Sequence, residues 1–181
     1  DFIVLLNECD RCWRISGGAF DPTVQPLWNL YCRHFSQPGH DPNGPRVDQL
    51  REAVDTVGFD KVAFNTERIV FARRGMGMTL NGIAQGFATD RVVDILRSEG
   101  IEHCFVDLGE GRAIGQRPGG DGPWRVRIAK SDAAAQSGDV VEITDRAIAT
   151  SGGYGFRFDT TGRFNHLFDP RDGRSARLYR S

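Results

Sequence analysis

Gly82-Ile-Ala-Gln-Gly-Phe-Ala-Thr-Asp-Arg-Val-Val-Asp-Ile-Leu-Arg-Ser-Glu99, followed by Gly100 and then His103-Cys-Phe-Val-Asp-Leu108, is where the apolar spacing changes period. Up to Glu99 the spacing is helical. Ile83, Phe87, Val92, Ile95 and Leu96 predict one buried face, and Gly100 ends the helix. Beyond it the apolar runs are short and β-like: His103 to Leu108, Trp124 to Ala129, Val140 to Thr144, Ala147 to Thr150, Phe156 to Phe158 and Phe164 to Phe168. Turns such as Pro118-Gly-Gly-Asp-Gly122 and Thr161-Gly162 separate them. Strands joined by short turns pair antiparallel, so the fold class is α+β, with helices packed on antiparallel sheets.

Upstream of that switch the chain reads as mainly helical. Spacing predicts a helix over residues 2–15, broken at Gly17-Gly18, and a shorter one begun by Asp21-Pro22 and running through Leu27 and Leu30. A loop rich in Pro, Gly and Asp runs from Ser36 to Pro45, and a helix from Val47 to Val57 stops at Gly58. Val62-Ala-Phe64 and Ile69-Val-Phe71 flank Asn65-Thr-Glu67 as a hairpin, and Met76 to Leu80 reads as a strand end.

Composition narrows the function classes. The 181 residues are 39% hydrophobic and 26% charged, enough for a real core in one domain, and the net charge of -1 gives no basic field for nucleic acid. The longest apolar stretch, Phe2 to Leu6, is far short of the roughly 20 residues that span a bilayer. Cys9 and Cys12 form a C-x-x-C, but their surroundings are amphipathic and no second pair follows, which favours buried thiols over a redox or zinc site. The chain opens at Asp1 and stops at Ser181 just after a turn-rich segment. We therefore expect a single domain over residues 1–181 that is incomplete at both ends.

Three glycine-rich segments can carry chemistry. In Ser16-Gly-Gly-Ala-Phe-Asp-Pro-Thr-Val24, Asp21 either accepts from a ligand or caps the helix begun by Pro22. In Thr79-Leu-Asn-Gly-Ile-Ala-Gln-Gly-Phe-Ala-Thr-Asp90, small residues lead into the longest helix. Its free amides suit a phosphate or pyrophosphate, and close packing at Gly82, Ala84 and Gly86 explains the same residues. In Thr150-Ser-Gly-Gly-Tyr154 and Asn165-His-Leu-Phe-Asp-Pro170, His166 is either a general base or a structural histidine. There is no Walker ending, no dinucleotide fingerprint, no Gly-x-Ser-x-Gly elbow and no His-Glu-x-x-His.

Taken together and in order, Ser16-Gly-Gly-Ala-Phe-Asp-Pro-Thr-Val24, Leu80-Asn-Gly-Ile-Ala-Gln-Gly-Phe-Ala-Thr-Asp90, Ala149-Thr-Ser-Gly-Gly-Tyr154 and His166-Leu-Phe-Asp-Pro-Arg-Asp-Gly173 resemble the ApbE-type FAD:protein FMN transferases across nearly the whole chain. With Val106-Asp-Leu-Gly-Glu110, the second motif looks closest to the NosX-like branch associated with nitrous oxide reductase maturation. The resemblance implies two T-fold-like α+β halves with FAD between them. It also implies a Mg²⁺-dependent reaction in which a Thr or Ser hydroxyl of a respiratory flavoprotein subunit attacks FAD, takes FMN and releases AMP. Alternatives in the same family setting are an FAD-binding maturation factor without catalysis, or an FAD pyrophosphatase.

The resemblance carries over position by position. Ala19, Phe20 and Asp21 match an FAD-contacting segment, and Thr79 stands where the family usually has an FAD-binding Asp. Gly82 matches a position whose carbonyl ligates Mg²⁺, and Gln85 replaces a usual Lys or Glu that touches FAD. Phe168 occupies a flavin-contacting apolar position, and His166 matches the candidate base of His-x-x-Asp-Pro. The family's remaining metal ligands fall after the Asp-Pro-Arg motif, past Ser181. Relatives are commonly exported or lipid-anchored, so the expected place is the periplasm or the outer face of the cytoplasmic membrane, with any anchor outside this chain.

Overall fold

Leu5, Leu6 and Cys9 recur at helical spacing and are the buried residues of the helix Phe2–Ile15 (α1). Its outer face carries the pairs Arg11–Glu8 and Arg14–Asp10 at 2.7 and 2.8 Å, ordinary exposed i,i+3 and i,i+4 contacts. The helix ends where Gly17 and Gly18 take positive φ and the Gly18 amide bonds back to the Trp13 carbonyl at 2.9 Å. The computed structural model describes residues 2–119, 122–129 and 138–177. They divide into two units, residues 2–82 with 152–177, and residues 83–151. Among them no helix is long and apolar enough to cross a membrane.

In the first unit, Asp21-Pro22 begins a short 3₁₀ turn, Pro22–Val24, before the helix Gln25–Phe35 (α2). A third helix, Val47–Asp55 (α3), stops at Thr56, short of the expected Val57. The hairpin pairs Val62–Phe64 (β1) with Ile69–Phe71 (β2), and Asn65 Oδ1 accepts from the Glu67 and Arg68 amides to close the turn. The core is largely aromatic. Tyr31 of α2, 2% exposed, stacks among Phe35, Phe158, Phe164 and Phe168 at centroid distances of 5.3–6.4 Å, and Trp28 lies 4.5 Å from Phe156. Gly173, at φ 71°, lets the turn after Asp169 settle on both helices: a Cβ there would lie 2.8–2.9 Å from Leu27, Leu50 and Val54.

The second unit begins with the helix Ala84–Ser98 (α4), which packs on a three-stranded antiparallel sheet. Gly111–Ile114 (β4) is central, between Cys104–Asp107 (β3) and Ala147–Ile148 (β7). Val93, Val106 and Ile114 form its core, with Val92, Leu96 and Cys104 against them. Trp124–Ala129 (β5) and Gly138–Ile143 (β6) make a separate antiparallel ribbon. The Trp124 indole N–H ties it to the Ile114 carbonyl at 3.2 Å.

The α+β class and the antiparallel pairing hold, and four local expectations change. Met76 to Leu80 is not a strand: its Thr79 amide bonds to the Pro22 carbonyl, and no ladder forms among the described residues. Phe156 to Phe158 and Phe164 to Phe168 do not form a regular ladder: they meet at one isolated bridge, Arg157–Asn165, flanked by the Phe158 amide on the Phe164 carbonyl and the His166 amide on the Phe156 carbonyl, while the rings of Phe158, Phe164 and Phe168 turn into the Tyr31 cluster. The buried stripe of α4 runs through Thr89 and Val93, and Ile95 is 61% exposed. Thr89 belongs on that stripe because its hydroxyl is shared between the carbonyls of Gln85 (2.9 Å) and Glu110 (3.3 Å). Finally, that helix starts at Ala84 rather than Gly82. Gly120 and Asp121 of the expected Pro118–Gly122 turn lie outside the described residues, as do 130–137.

Candidate functional site

The first and second glycine-rich segments meet in the first unit. The Thr79 amide donates to the Pro22 carbonyl at 2.8 Å, and the Phe20 ring edge lies 3.5 Å from where a Cβ of Gly82 would be. Thr79 Oγ1 accepts the Asn81 amide at 3.3 Å, which leaves Gly82 exposed in a tight turn. Ala19 is exposed and Phe20 half-buried. Ala19, Phe20, Thr79 and Gly82 therefore share one neighbourhood.

Asp21 belongs to the same place, but its carboxylate is already occupied. Oδ1 accepts the Thr23 amide at 2.8 Å and the Thr23 hydroxyl at 2.5 Å. Oδ2 accepts the Trp13 indole N–H and the Phe59 amide, each at 3.0 Å. The side chain is 7% exposed, so four protein donors fill an anion with about four lone-pair sites. The capping role is the one the geometry displays. What this segment holds open to a ligand is Ala19 and Phe20.

His166 and Phe168 sit on the far limb of the same unit, held by a buried lock. The Asn165 amide donates to Ser175 Oγ at 2.9 Å, and that hydroxyl returns a bond to the Asn165 carbonyl at 2.8 Å. Asn165 Oδ1 accepts the Leu167 amide at 3.0 Å. Phe168 is committed to the aromatic core, 5.3 Å from Tyr31 and 5.9 Å from Phe158. The His166 imidazole leaves that core, and its Nδ1 lies 3.2 Å from the Phe156 carbonyl. Next in chain, Asp169 is held below the usual carboxylate range by hydrogen bonds from Arg171, at 2.8 and 2.5 Å.

Gln85 lies in the second unit, exposed in the first turn of α4. A Cβ on Gly109, which has φ 97°, would come within 2.6 Å of the Gln85 amide nitrogen, so the side chain rests on the Asp107–Glu110 turn. No side chain caps α4, and a Cβ at Gly86 would meet open space. Close packing therefore does not account for Gly86, whereas at Gly82 the Phe20 ring does approach. The turn under Gln85 borders a cavity of about 410 Å³ beside Phe105, Trp124 and Ile148. A cavity of about 620 Å³ in the first unit is lined by Tyr31, Leu50, Arg163 and Arg174. Neither cavity includes Ala19, Phe20, Thr79, Gly82 or His166.

Cys9 is fully buried and its thiol is pushed up to about 11, first by burial and then by Cys12 and Glu8; Cys12 is half-buried, and both thiols are free. Among the described residues no three His, Cys, Asp or Glu side chains converge as a metal site. The spacing of motifs did not single out Asn165, Ser175 or the Phe156 carbonyl. Asn165 stands inside the quoted motif, and a buried Asn beside a candidate base was the available signal; a backbone carbonyl leaves none.

A family model described as the ApbE family matches residues 1–181. The FAD:protein FMN transferase of Haemophilus influenzae is 31% identical over 181 residues, covering 96% of this chain and 51% of that protein. The FAD:protein FMN transferase of Vibrio cholerae is 32% identical over 175 residues, covering 95% and 52%. Among solved structures, the apo flavinyl transferase ApbE of Pseudomonas stutzeri superposes with a TM-score of 0.75 at 28% identity, over 98% of this chain and 54% of that one. The ApbE protein of Thermotoga maritima gives 0.78 at 30% identity, over 96% and 56%. The chain spans about half the length of the curated relatives it matches.

Proposed function

The chain belongs to the ApbE family, and from that premise we propose that it serves an FAD:protein FMN transferase. Its substrate is FAD, and its acceptor is a Thr or Ser hydroxyl on a respiratory flavoprotein subunit. The hydroxyl oxygen attacks the FMN-side phosphorus, the bond from that phosphorus to the bridging oxygen breaks, and AMP leaves. FMN ends as a phosphoester on the acceptor. No covalent enzyme intermediate is needed, so the protein's work is to position, neutralise charge and remove one proton.

The observation that carries this reading is the state of His166. Its Nδ1 is engaged by the Phe156 carbonyl, and Nε2 is left to receive the hydroxyl proton. Ala19, Phe20 and Thr79 supply contacts for FAD, with the small residues around Gly82 leaving its backbone approachable. Phe168 supports the flavin side from within the aromatic core. Mg²⁺ belongs to the same proposal as the ion that neutralises phosphate charge, with the Gly82 carbonyl as this chain's donor. That carbonyl does not make an octahedral oxygen site by itself, and among the described residues no three His, Cys, Asp or Glu side chains converge to complete one. The periplasm or the outer face of the cytoplasmic membrane, and a target in nitrous oxide reductase maturation, are proposed with it.

A second reading, an FAD-binding maturation factor without transfer, is favoured by Thr79 and Gln85, which put neutral groups where the family resemblance leads one to expect charge. Calorimetry with FAD, FMN and AMP tests the ligand that both readings share. We expect FAD to bind with Kd near 1 µM, about 8 kcal/mol, and FMN more weakly. Equal affinity for FMN would refute the assignment of the diphosphate and adenine contacts.

A further inference from the structure

We propose that the turn ending at Phe156 prepares His166 as a base: the Phe156 carbonyl fixes the imidazole as its Nδ1–H tautomer, and Gly155 leaves Nε2 uncovered. This rests on the reading of His166 as proton acceptor and extends it by giving Phe156 and Gly155 positioning roles. A carbonyl oxygen can only accept. Both His166 groups near that oxygen, the backbone amide at 3.3 Å and Nδ1 at 3.2 Å, must therefore donate. A neutral imidazole carries a single N–H, so the lone pair lies on Nε2. When the acceptor hydroxyl loses its proton, the O–H bond breaks, its electron pair stays on the attacking oxygen, and a new N–H bond forms at Nε2. The Nδ1–H bond to Phe156 then becomes charge-assisted and steadies the imidazolium.

Gly155 completes the arrangement. Its amide closes the turn onto the Gly152 carbonyl at 3.0 Å, and its φ is not among the positive ones. A side chain is therefore tolerable to the backbone. A Cβ at Gly155 would sit 3.4 Å from His166 Cε1, 3.9 Å from Nε2 and 3.4 Å from the Gly152 oxygen, all ordinary van der Waals distances. An alanine fits there, and it fits against the edge of the ring that has to meet the hydroxyl. What glycine provides at this position is access to Nε2.

The tautomer is read directly from the ring ¹⁵N resonances of His166 in the folded protein: a pyrrole-type Nδ1 and a pyridine-type Nε2 are expected. His166→Asn keeps a donor for the Phe156 carbonyl and removes the base, so its melting temperature should stay near wild type while FMN transfer is lost. Carbethoxylation of His166 by diethyl pyrocarbonate should slow severalfold in Gly155→Val, and less so in Gly155→Ala, which the space accommodates. A pyridine-type Nδ1, or unchanged carbethoxylation in both folded Gly155 variants, would overturn the inference whatever the turnover. Normal transfer by folded His166→Asn would instead remove the base reading, and the spectroscopic and labelling results tell the two failures apart because neither needs turnover.

Discussion

Trp13, Thr23 and Phe59 come from three separate stretches of chain, and all donate to the one carboxylate of Asp21. Hydrogen bonds to a charged group contribute more than neutral ones, and removing the acceptor leaves buried donors without partners. Asp21→Ala should therefore lower the unfolding free energy by about 3 kcal/mol, at the upper end for single substitutions. Asp21→Asn should not rescue it, since an amide NH₂ would face donors. Urea unfolding of both variants checks this, and near-native stability of Asp21→Ala would show that the carboxylate is not a clamp. The residue type at position 21 was readable either as a cap or as a ligand. Only the position of Trp13 and the Phe59 amide, 8 and 38 residues away, decides between them. The same holds for His166, whose partner is a main-chain oxygen that carries no side-chain signature.

At the scale of elements, the candidate base is held in place by a turn. Gly173 docks the Asp169–Gly173 turn between α2 and α3, and the Asn165–Ser175 lock ties that turn to the His166 segment. Gly173→Ala brings a Cβ within 2.8–2.9 Å of Leu27, Leu50 and Val54 and forces a left-handed φ on alanine. The left-handed backbone alone costs about 1–2 kcal/mol, and the crowding adds to it. We expect a clear drop in melting temperature, measured by circular dichroism; an unchanged value would mean the turn moves freely. Helix and hairpin positions were legible because period and turn chemistry are local. The buried stripe of α4 was not, since Thr89 is buried by hydrogen bonds rather than by hydrophobicity. Nor were the two phenylalanine-rich limbs, where ring packing on Tyr31 displaced the alternation that a strand would show.

At the scale of the whole molecule, the four motifs in order across the chain made the family legible in the sequence, and the matching folds agree with it. The first unit carries Ala19, Phe20, Thr79, Gly82, His166 and Phe168, and the second carries Gln85 at the start of α4. The proposed reaction moves FMN from FAD to a protein hydroxyl with His166 as the base. Single-turnover transfer tests it most directly, using FAD-saturated protein and a purified flavoprotein subunit with its acceptor threonine, and following covalent flavin and AMP together. One AMP should be released per flavin attached, with a rate about 10²-fold or more lower in folded His166→Ala at unchanged FAD affinity. Transfer at the wild-type rate by that variant, or AMP release with no flavin attached, would contradict it.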